Sequence, residues 1–401
     1  MLFNLLRLHQ KSGKTTITYQ QKFARLKARS ASIALASIFL FGAIPKSEAK
    51  SSEQSSSQAE ERGDRSVKEK KEVPSPSAAA EGRIKREAAR VIKAFEGAWT
   101  STVTLDIPSL FPQPLAFPMF VDCSPIAQNR GIRCFNRGDI PGGNVLAEDC
   151  IIGFSAEDDL VYYMCASGGG RSSVEKGVWV NDTTIEFEPE QIQFLGMPVT
   201  EKLTISVPDS NSLIFHVDIT LPDGNRGVLH GPSVPRKGPA PVIVNRPPVN
   251  EASKKLLEAN LGNWSTSGTF TFPQGRAQAF RLETQCEEAA LGPVVYCQSK
   301  DVSKRNTKYE HDCIWAYNAV YDQINLNCLN SESQVRAYRG NWTSDSKLKL
   351  EAPVGKNQGT PANDTLELEY VGANLTKFQG LFKVIPGLLD LQLNGSSQRF
   401  K

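Results

Sequence analysis

Four cysteines lie in the segment Cys123–Cys165, CSPIAQNRGIRCFNRGDIPGGNVLAEDCIIGFSAEDDLVYYMC, and the pattern of this segment returns later in the chain. Its four cysteines are separated by 11, 16 and 15 positions. The cysteines of Cys286–Cys328, CEEAALGPVVYCQSKDVSKRNTKYEHDCIWAYNAVYDQINLNC, repeat these three intervals at a constant offset of 163. Repetition at one fixed offset predicts a domain duplicated in tandem.

Features outside the cysteines repeat as well. The offset of 163 carries Gly177 and Trp179 onto Gly340 and Trp342, and Arg236 onto Arg399. The opening Gly97-x-Trp99 returns as Gly262-x-Trp264 at an offset of 165, so one small length change precedes the first cysteine. We expect these glycines, tryptophans and arginines to be framework residues, with the tryptophans packed in the protein rather than in contact with a ligand.

Eight cysteines in an exported chain favour disulfides over the alternatives, which are zinc tetrads and free buried thiols. In each copy the cysteines fall on four successive predicted strands. At about 4.8 Å per strand, the first and fourth cysteines lie about 14 Å apart, and the first and third about 10 Å. A disulfide needs Cα atoms within roughly 7 Å. The only complete scheme is therefore Cys123–Cys134, Cys150–Cys165, Cys286–Cys297 and Cys313–Cys328.

The N-terminal region reads as a targeting segment. Residues 22–29 are basic, residues 30–44 are uncharged and mostly apolar, and Ser47-Glu48-Ala49 resembles a cleavage site. The apolar run is shorter than the roughly 20 residues of a membrane span, so we predict a signal peptide over 1–49, with an uncleaved anchor as the alternative. Residues 50–82, rich in Ser, Glu and Lys, predict a disordered tether.

The net charge of +3 is concentrated in the leader. Residues 1–49 contain eight Lys/Arg and one acid, which leaves 38 basic and 42 acidic residues and a charge of −4 for the remainder. A basic surface for nucleic acid therefore has no support in the folded part.

Beyond the tether, a short helical pattern at 84–96 is followed by many short β-branched and aromatic segments separated by turn residues. Residues 238–252 form a Pro-rich linker, and a helical pattern at 253–261 opens the second copy. We place copy one at 83–237 and copy two at 253–401.

This order of a helix, Gly-x-Trp and an up-and-down run of strands resembles the calycin barrels, which include lipocalins. Residues 153–188, GFSAEDDLVYYMCASGGGRSSVEKGVWVNDTTIEFE, look like the central hairpins of the bacterial domain-of-unknown-function family 1579. The resemblance implies an all-β fold of two tandem antiparallel, up-and-down barrels, each preceded by a short helix. The cysteines are not part of that family's pattern, so the chain would be a disulfide-containing variant.

The sequence contains no recognisable catalytic or cofactor-binding motif. None of the histidines is repeated at the offset of 163: His216, which could ligate haem, corresponds to Gln379. Gly168–Arg171 could form an anion nest, but the context favours a loop. We therefore expect no enzyme activity, no cofactor and no metal site.

The function we predict is an exported, periplasmic or secreted, non-enzymatic protein whose barrels bind a small apolar ligand. Candidate lining residues are Ile151, Tyr163, Phe187, Ile214 and Trp315. The alternative is a cell-envelope structural or interaction protein that binds a protein partner through its loops; a hydrolase or a haem protein is least favoured.

Overall fold

The computed structural model describes residues 76–141, 144–194, 196–242, 249, 251–273, 275–292, 294–303, 309–352, 355–357, 360–362, 364–385 and 389–400. The predicted signal peptide and the predicted tether up to residue 75 lie outside this part of the chain. Among the described helices, none has the length and apolar character needed to cross a membrane.

The described part of the first copy contains one helix and eleven strands: α1 Pro76–Phe95, β1 Gly97–Asp106, β2 Leu115–Ile126, β3 Gly131–Ile140, β4 Asn144–Ser155, β5 Leu160–Ser167, β6 Ser172–Trp179, β7 Thr184–Phe187, β8 Glu190–Phe194, β9 Met197–Asp209, β10 Ser212–Thr220 and β11 Arg226–Pro235. The described part of the second copy contains α2 Glu251–Asn260, β12 Gly262–Thr271, β13 Ala277–Ala289, β14 Val294–Asp301, β15 Glu310–Asn318, β16 Gln323–Asn330, β17 Val335–Trp342, β18 Lys347–Glu351, β19 Gly355–Asn357, β20 Thr360–Ala362, β21 Thr365–Tyr370, β22 Leu375–Ile385 and β23 Leu389–Phe400.

Both helices begin earlier than predicted. Helix α1 starts at Pro76, so the placement of 76–82 in a disordered tether is wrong. Proline is favoured at the first position of a helix, and Ala78–Ala80 has the highest helix propensity, which the low apolar content of this segment concealed. Helix α2 starts at Glu251, just inside the predicted linker.

Each copy closes into a barrel of ten antiparallel strands, which confirms the predicted fold class. In barrel 1, β1–β7 are neighbours in order, β9 pairs with β7 and β10, and β11 returns to β1. Strand β8 is an extra strand that pairs with β9. In barrel 2 the circuit is β12–β18, then β21, β22 and β23, while β19 and β20 form a separate small sheet.

The interior of barrel 1 is a continuous apolar core. Along β1, Trp99, Val103 and Leu105 are buried, whereas the intervening Thr102 and Thr104 are exposed. This alternation arises because successive strand side chains point to opposite faces of the sheet. The same cluster includes the four cysteines of this copy, so the disulfides lie on the inner side of the wall.

The cysteines of each copy form one row across four neighbouring strands. In barrel 1, Cys123, Cys134, Cys150 and Cys165 are successive cross-strand neighbours. The disulfides are Cys123–Cys134, Cys150–Cys165, Cys286–Cys297 and Cys313–Cys328, each with Cα atoms 4.1 Å apart. This is the pairing that strand order predicts. Cys134 and Cys150 are also neighbours, but joining them would leave Cys123 and Cys165 three strands apart.

The first tryptophan of each copy joins the barrel to its helix. The indole Nε1 of Trp99 donates to the carbonyl of Phe95 at 2.9 Å, at the last residue of α1. Trp264 Nε1 donates to the carbonyl of Asn260 at 2.9 Å, at the last residue of α2. Each helix therefore packs at the end of the barrel where β1 or β12 begins, which we call the helix end; the opposite end is the far end.

The second tryptophan of each copy contacts a cationic side chain of the same helix. The guanidinium of Arg90 lies 3.8 Å from the ring centroid of Trp179, and Lys255 Nζ lies 4.1 Å from that of Trp342. Such cation–π contacts stabilise by about 0.5–2 kcal/mol, depending on desolvation. Both predicted Gly-x-Trp motifs therefore hold the helix against the barrel.

The outer faces of the two barrels share a buried apolar cluster. Leu329 of β16 is fully buried, and its side chain contacts Gly131 and Gly153 of barrel 1, where a Cβ on Gly153 would lie 2.6 Å from Leu329 Cδ2. The cluster members are Ile126, Ala127, Ile151, Tyr162, Met164, Ala166 and Val174 of barrel 1, with Ala289, Ala290, Val294, Tyr296, Ile314, Ala316, Leu329 and Val335 of barrel 2. The barrels therefore form one packed unit.

The contact between the barrels has approximate twofold symmetry. Ala156 N, at the helix end of barrel 1, donates to the Ser333 carbonyl at 2.8 Å, at the far end of barrel 2. Ala319 N, at the helix end of barrel 2, donates to the Gly170 carbonyl at 2.8 Å, at the far end of barrel 1. Both donors and both acceptors are related by the offset of 163, so equivalent surfaces of the two copies face each other in opposite directions.

Candidate functional site

One wall of barrel 2 combines two phenylalanines with two glycines in a single row. Strand register places Phe280 beside Gly268, Gly268 beside Gly395, and Gly395 beside Phe378. Phe270, two residues further along β12 from Gly268, is buried. Because residues two apart on a strand share a face, the whole row faces the barrel interior. We call Phe280, Gly268, Gly395 and Phe378 the aromatic row.

In this row the tip of each phenylalanine ring lies over the neighbouring glycine. A Cβ on Gly268 would lie 2.6 Å from Cζ of Phe280, and a Cβ on Gly395 would overlap Cζ of Phe378. A real Cβ cannot approach another atom so closely, so only glycine lets the two rings lie along the wall. The rings of Phe280 and Phe378 have centroids 6.4 Å apart and planes inclined by 34°.

Barrel 1 has the same row with one decisive difference. Phe117 lies beside Val103, and Phe215 lies beside Gly231. A Cβ on Gly231 would lie 2.9 Å from Val103 Cγ2, so the valine occupies the middle of the row where barrel 2 has Gly268. The two phenylalanines themselves are repeated at the offset of 163.

The row is sealed in barrel 1 and accessible in barrel 2. Phe117, Phe215 and Val103 are 2%, 7% and 0% exposed. Phe280 and Phe378 are only half-buried although they face the interior. Solvent therefore reaches the two rings in barrel 2, whereas it does not reach the corresponding rings of barrel 1.

Hydroxyl groups border the aromatic row on the side of the helix end. Thr266 Oγ1 and Ser397 Oγ lie 2.7 Å apart, each two residues from a glycine of the row, and both residues are half-buried. Further round the wall, Thr284 Oγ1 and Ser299 Oγ lie 2.8 Å apart. In barrel 1 the positions of Thr266 and Ser397 are occupied by Ser101 and Ser233, and both of these serines are buried.

Barrel 1 instead contains a buried ionic cluster centred on Arg171. Its guanidinium lies 3.1 Å from a carboxylate oxygen of Glu148, 3.1 Å from one of Glu175, and in hydrogen-bond contact with Glu201. The side chains of Glu148, Glu175 and Glu201 are 8%, 0% and 4% exposed. One arginine thus faces three carboxylates inside the wall. We call these four residues the Arg171 cluster.

Burial controls the protonation of this cluster. It raises the pKa of Glu175 above the ordinary value although Arg171 acts in the opposite direction. Burial, together with the neighbouring Glu175, raises the pKa of Glu201 well above its ordinary value. Two adjacent buried carboxyls that resist ionisation, beside one arginine, form a proton-holding ion-pair network. The arginine's partners are protein carboxylates, which is the arrangement of a structural network.

The Arg171 cluster is not duplicated. At the offset of 163 its members Glu148, Arg171, Glu175 and Glu201 correspond to His311, Gln334, Tyr338 and Asp364. Burial lowers the pKa of His311 to about 4, so this imidazole is neutral near pH 7. The nearby cation in barrel 2 is Arg336, whose Nη1 and Nη2 each donate at 2.7 Å to Glu157 from barrel 1.

Only some of the predicted lining residues face the interior of a barrel. Tyr163 and Phe187 lie inside barrel 1 and are 5% and 2% exposed. Ile151 packs in the interface between the barrels, and Ile214 lies on the outer face of β10, so both are wrong as lining residues. Strand alternation sends these two side chains outward. Trp315 is buried and lies between the outward-facing Ile314 and Ala316, so it faces into barrel 2.

The closing arginines are not equivalent in register. Arg399 pairs with Trp264 across β12 and β23, and its guanidinium lies 4.5 Å from that ring centroid. In barrel 1 the partner of Trp99 is Pro235, one residue before Arg236. In the barrels Arg399 therefore corresponds to Pro235 and not to Arg236 as predicted, because the copies differ in length by one residue here.

Two other predicted features also have defined positions. His216 lies on the outer face of β10 beside His230, with ring centroids 5.7 Å apart, so it does not face the lumen as a haem ligand would need to. The amide groups of Gly170 and Arg171 donate to the carbonyl and the hydroxyl of Ser167, so these two donors of the predicted anion nest are used within the loop.

Three potential metal-ligand atoms lie close together in barrel 1, but two of them belong to a disulfide. One oxygen of Glu148 and the sulfurs of Cys150 and Cys165 lie within 4.8 Å of one another. The two sulfurs form a disulfide and offer no thiolate for a metal ion.

Comparison with known proteins adds little at the level of sequence. Neither family models nor curated proteins match the chain. A protein of unknown function from the DUF3598 family of Nostoc punctiforme has 9% identity and a TM-score of 0.27, covering 78% of this chain and 99% of its own. An S-type phycobiliprotein lyase from Guillardia theta has 12% identity and a TM-score of 0.29, covering 40% and 98%.

Transferrin binding protein B of Neisseria meningitidis has 7% identity and a TM-score of 0.18, covering 77% of each chain. Scores this low carry no argument about function, and the resemblance to family 1579 is not shown by them. The functional argument therefore rests on the residues of this chain.

Sequence reasoning missed both the aromatic row and the Arg171 cluster. The row had a signal: Phe117 and Phe215 recur as Phe280 and Phe378 at the offset of the cysteines. The Arg171 cluster had a weaker sequence signal. Glu148 lies two residues before Cys150 on the same strand, so its side chain points to the same inner face of the barrel wall.

Proposed function

We propose that the protein is an exported, non-enzymatic binding protein in which barrel 2 takes up a small apolar ligand and barrel 1 serves as a packed scaffold. The observation that carries this proposal is the half-buried state of Phe280 and Phe378 on the inner wall of barrel 2. Binding cavities are typically lined by aromatic side chains with a few polar groups, and the hydroxyls of Thr266 and Ser397 supply the latter.

Barrel 1 supports the assignment of a single binding cup. Val103 fills the position of Gly268, and Phe117 and Phe215 are buried against it. A filled barrel has no room for a ligand, so we expect one ligand per chain, bound in barrel 2.

The absence of catalysis is also a proposal. The titratable groups of the Arg171 cluster are buried among their own partners, which favours a structural role over an acid–base role. Four disulfides favour an oxidising compartment and hence export. The excess of acidic residues after position 49 disfavours nucleic acid as a partner.

The proposal is tested by titrating the purified, oxidised protein with the neutral fluorescent probe N-phenyl-1-naphthylamine. We expect saturable binding of one probe per chain. Phe378→Ala removes one ring of the aromatic row in barrel 2. It should weaken binding of the probe about tenfold, which corresponds to about 1.4 kcal/mol. The matched control is Phe215→Ala, the same residue in the same row of barrel 1, which should leave the affinity within about twofold while lowering stability by about 3–5 kcal/mol.

Equal losses of affinity in the two variants would place the probe outside barrel 2, and no saturable binding at all would remove the proposal. Native mass spectrometry of protein purified from its own host provides a second readout, because a bound ligand adds mass to the chain. If the chain carries no ligand and binds no probe, cross-linking in cells becomes the test of the envelope-interaction alternative.

A further inference from the structure

We infer that the cup of barrel 2 is built for a flat, conjugated ring system with a neutral oxygen substituent, in preference to a flexible alkyl chain. This inference rests on the proposed function and specifies the ligand's shape. It follows from how the phenylalanines are held, from the angles between their rings, and from the hydroxyls beside them.

The glycines fix the orientation of the rings. Side chains at Gly268 and Gly395 would collide with the ring tips of Phe280 and Phe378, so the two rings lie along the wall instead of projecting across the lumen. A ring that lies along a wall presents its face to the lumen. Stacking on a ring face favours another flat ring system, in an offset arrangement.

The rings of Phe270, Phe280 and Phe378 are neighbours along the inner wall of barrel 2. The planes of Phe270 and Phe280 are inclined by 33° with centroids 5.0 Å apart, and those of Phe280 and Phe378 by 34° with centroids 6.4 Å apart. Phe270 is 3% exposed and packs against Phe280, so the accessible surface comes from Phe280 and Phe378. Because these two rings are inclined by only 34°, a rigid plane of two or three fused rings can contact both of them. A flexible chain would gain similar area but lose more conformational entropy on binding.

The hydroxyls define the polar part of the ligand. Thr266 and Ser397 hydrogen-bond to each other at 2.7 Å beside the aromatic row. In a pair of bonded hydroxyls one proton serves the pair and the second is available for another acceptor. A carbonyl or ether oxygen at the edge of a planar ligand fits this donor, and it needs no counter-charge from the protein.

The test compares ligands that share size and differ in shape. The planar 9,10-anthraquinone, its saturated and puckered perhydro analogue, which keeps both carbonyl oxygens, and the flexible hexadecan-1-ol are each titrated against N-phenyl-1-naphthylamine in competition with the full chain. We expect anthraquinone to bind at least about tenfold more tightly than the other two. Phe378→Leu retains an apolar side chain but removes the flat ring, so it should reduce this preference to about twofold.

A second variant isolates the hydroxyl. Thr266→Val conserves volume and should weaken anthraquinone about fivefold while leaving anthracene, which has no oxygen, unchanged. The matched control is Phe215→Leu in barrel 1, which should leave every preference intact.

Failure of the inference is distinguishable from failure of the proposed function. If hexadecan-1-ol binds as tightly as anthraquinone, or if Phe378→Leu preserves the preference, barrel 2 binds apolar ligands without regard to planarity and the inference is overturned. If neither the probe nor any of the three compounds binds, the proposed function itself fails.

Discussion

Position 268 shows how one side chain distinguishes the two copies. Barrel 1 has Val103 between Phe117 and Gly231, and barrel 2 has Gly268 between Phe280 and Gly395. Where barrel 2 has the glycine, the phenylalanine rings and the neighbouring hydroxyls are half-buried; where barrel 1 has the valine, their counterparts are buried. The two copies thus share the wall and differ at the middle of the row, so equivalent positions need not share a function.

The Arg171 cluster makes stability depend on pH. Because the pKa of Glu201 is higher in the folded chain than in the unfolded one, the folded state binds its proton more tightly. The resulting stabilisation is fully present below the unfolded pKa of about 4.5, and it is lost as the pH rises through the folded pKa. We expect the free energy of unfolding of wild type to fall with rising pH by up to about 1.4 kcal/mol per unit for one proton, measured by urea denaturation.

Glu201→Gln replaces the titrating carboxyl with a neutral amide and should flatten this part of the pH profile. Glu186→Gln, at an outward position of β7, serves as the control and should leave the slope unchanged. A Glu201→Gln profile that parallels wild type would show that the Arg171 cluster does not bind the proton.

Helix α1 contributes to barrel 1 through one buried face. Ala88, Val91 and Phe95 are fully buried, whereas Lys93 is exposed. Phe95→Ala should therefore lower the free energy of unfolding by about 3–5 kcal/mol, and Lys93→Ala should change it by no more than about 0.5 kcal/mol. Urea midpoints of the oxidised proteins measure both; similar midpoints for the two variants would show that the helix is not part of the cooperative fold.

Strands and disulfides could be predicted because they depend on local patterns. Cysteine spacing, turn residues and β-branched segments all act within about 16 residues. The aromatic row could not be predicted in the same way, since β12, β13, β22 and β23 bring together residues more than 100 positions apart. Register must be known before two phenylalanines and two glycines become neighbours.

The contact between the barrels was hidden for a related reason. Strand β5, LVYYMCAS, is apolar almost throughout, because Tyr163 and Cys165 face the core while Tyr162 and Met164 face the other barrel. A continuous apolar run indicates burial of both faces, but it does not say what covers the second one. Ile151 of β4 shows the same ambiguity, because an apolar strand residue fits a ligand-lining position equally well, and it faces the second barrel.

At the scale of the whole molecule, the two barrels resemble a symmetric dimer within one chain. Two backbone hydrogen bonds related by the offset of 163 join opposite ends of the copies. Equivalent surfaces meeting in this way form an isologous contact. Polar contacts surround it: Arg133 pairs with Glu287 at 2.8 Å and stacks 3.4 Å from the ring centroid of Tyr296, and Ala127 N donates to Asp312 at 2.9 Å.

A buried interface of this kind should make the barrels unfold together. Leu329→Asp introduces a charge into the apolar contact with Gly131 and Gly153, so it should separate the unfolding of the two barrels. Hydrogen exchange read by mass spectrometry at increasing urea concentration gives each barrel its own free energy of opening. For wild type we expect equal values for peptides from β1–β2 and from β12–β13, and for Leu329→Asp different values.

Leu326→Ala provides the control because Leu326 lies on the same strand but at an inward position, and it is 6% exposed. Its loss should reduce both free energies together by about 2–5 kcal/mol, since the coupling between the barrels remains. Unequal values in wild type would show that the interface does not couple the copies. Equal values in Leu329→Asp would move the coupling to the polar contacts around Arg133 and Asp312, and the double variant Leu329→Asp/Arg133→Ala would then be the one that separates them.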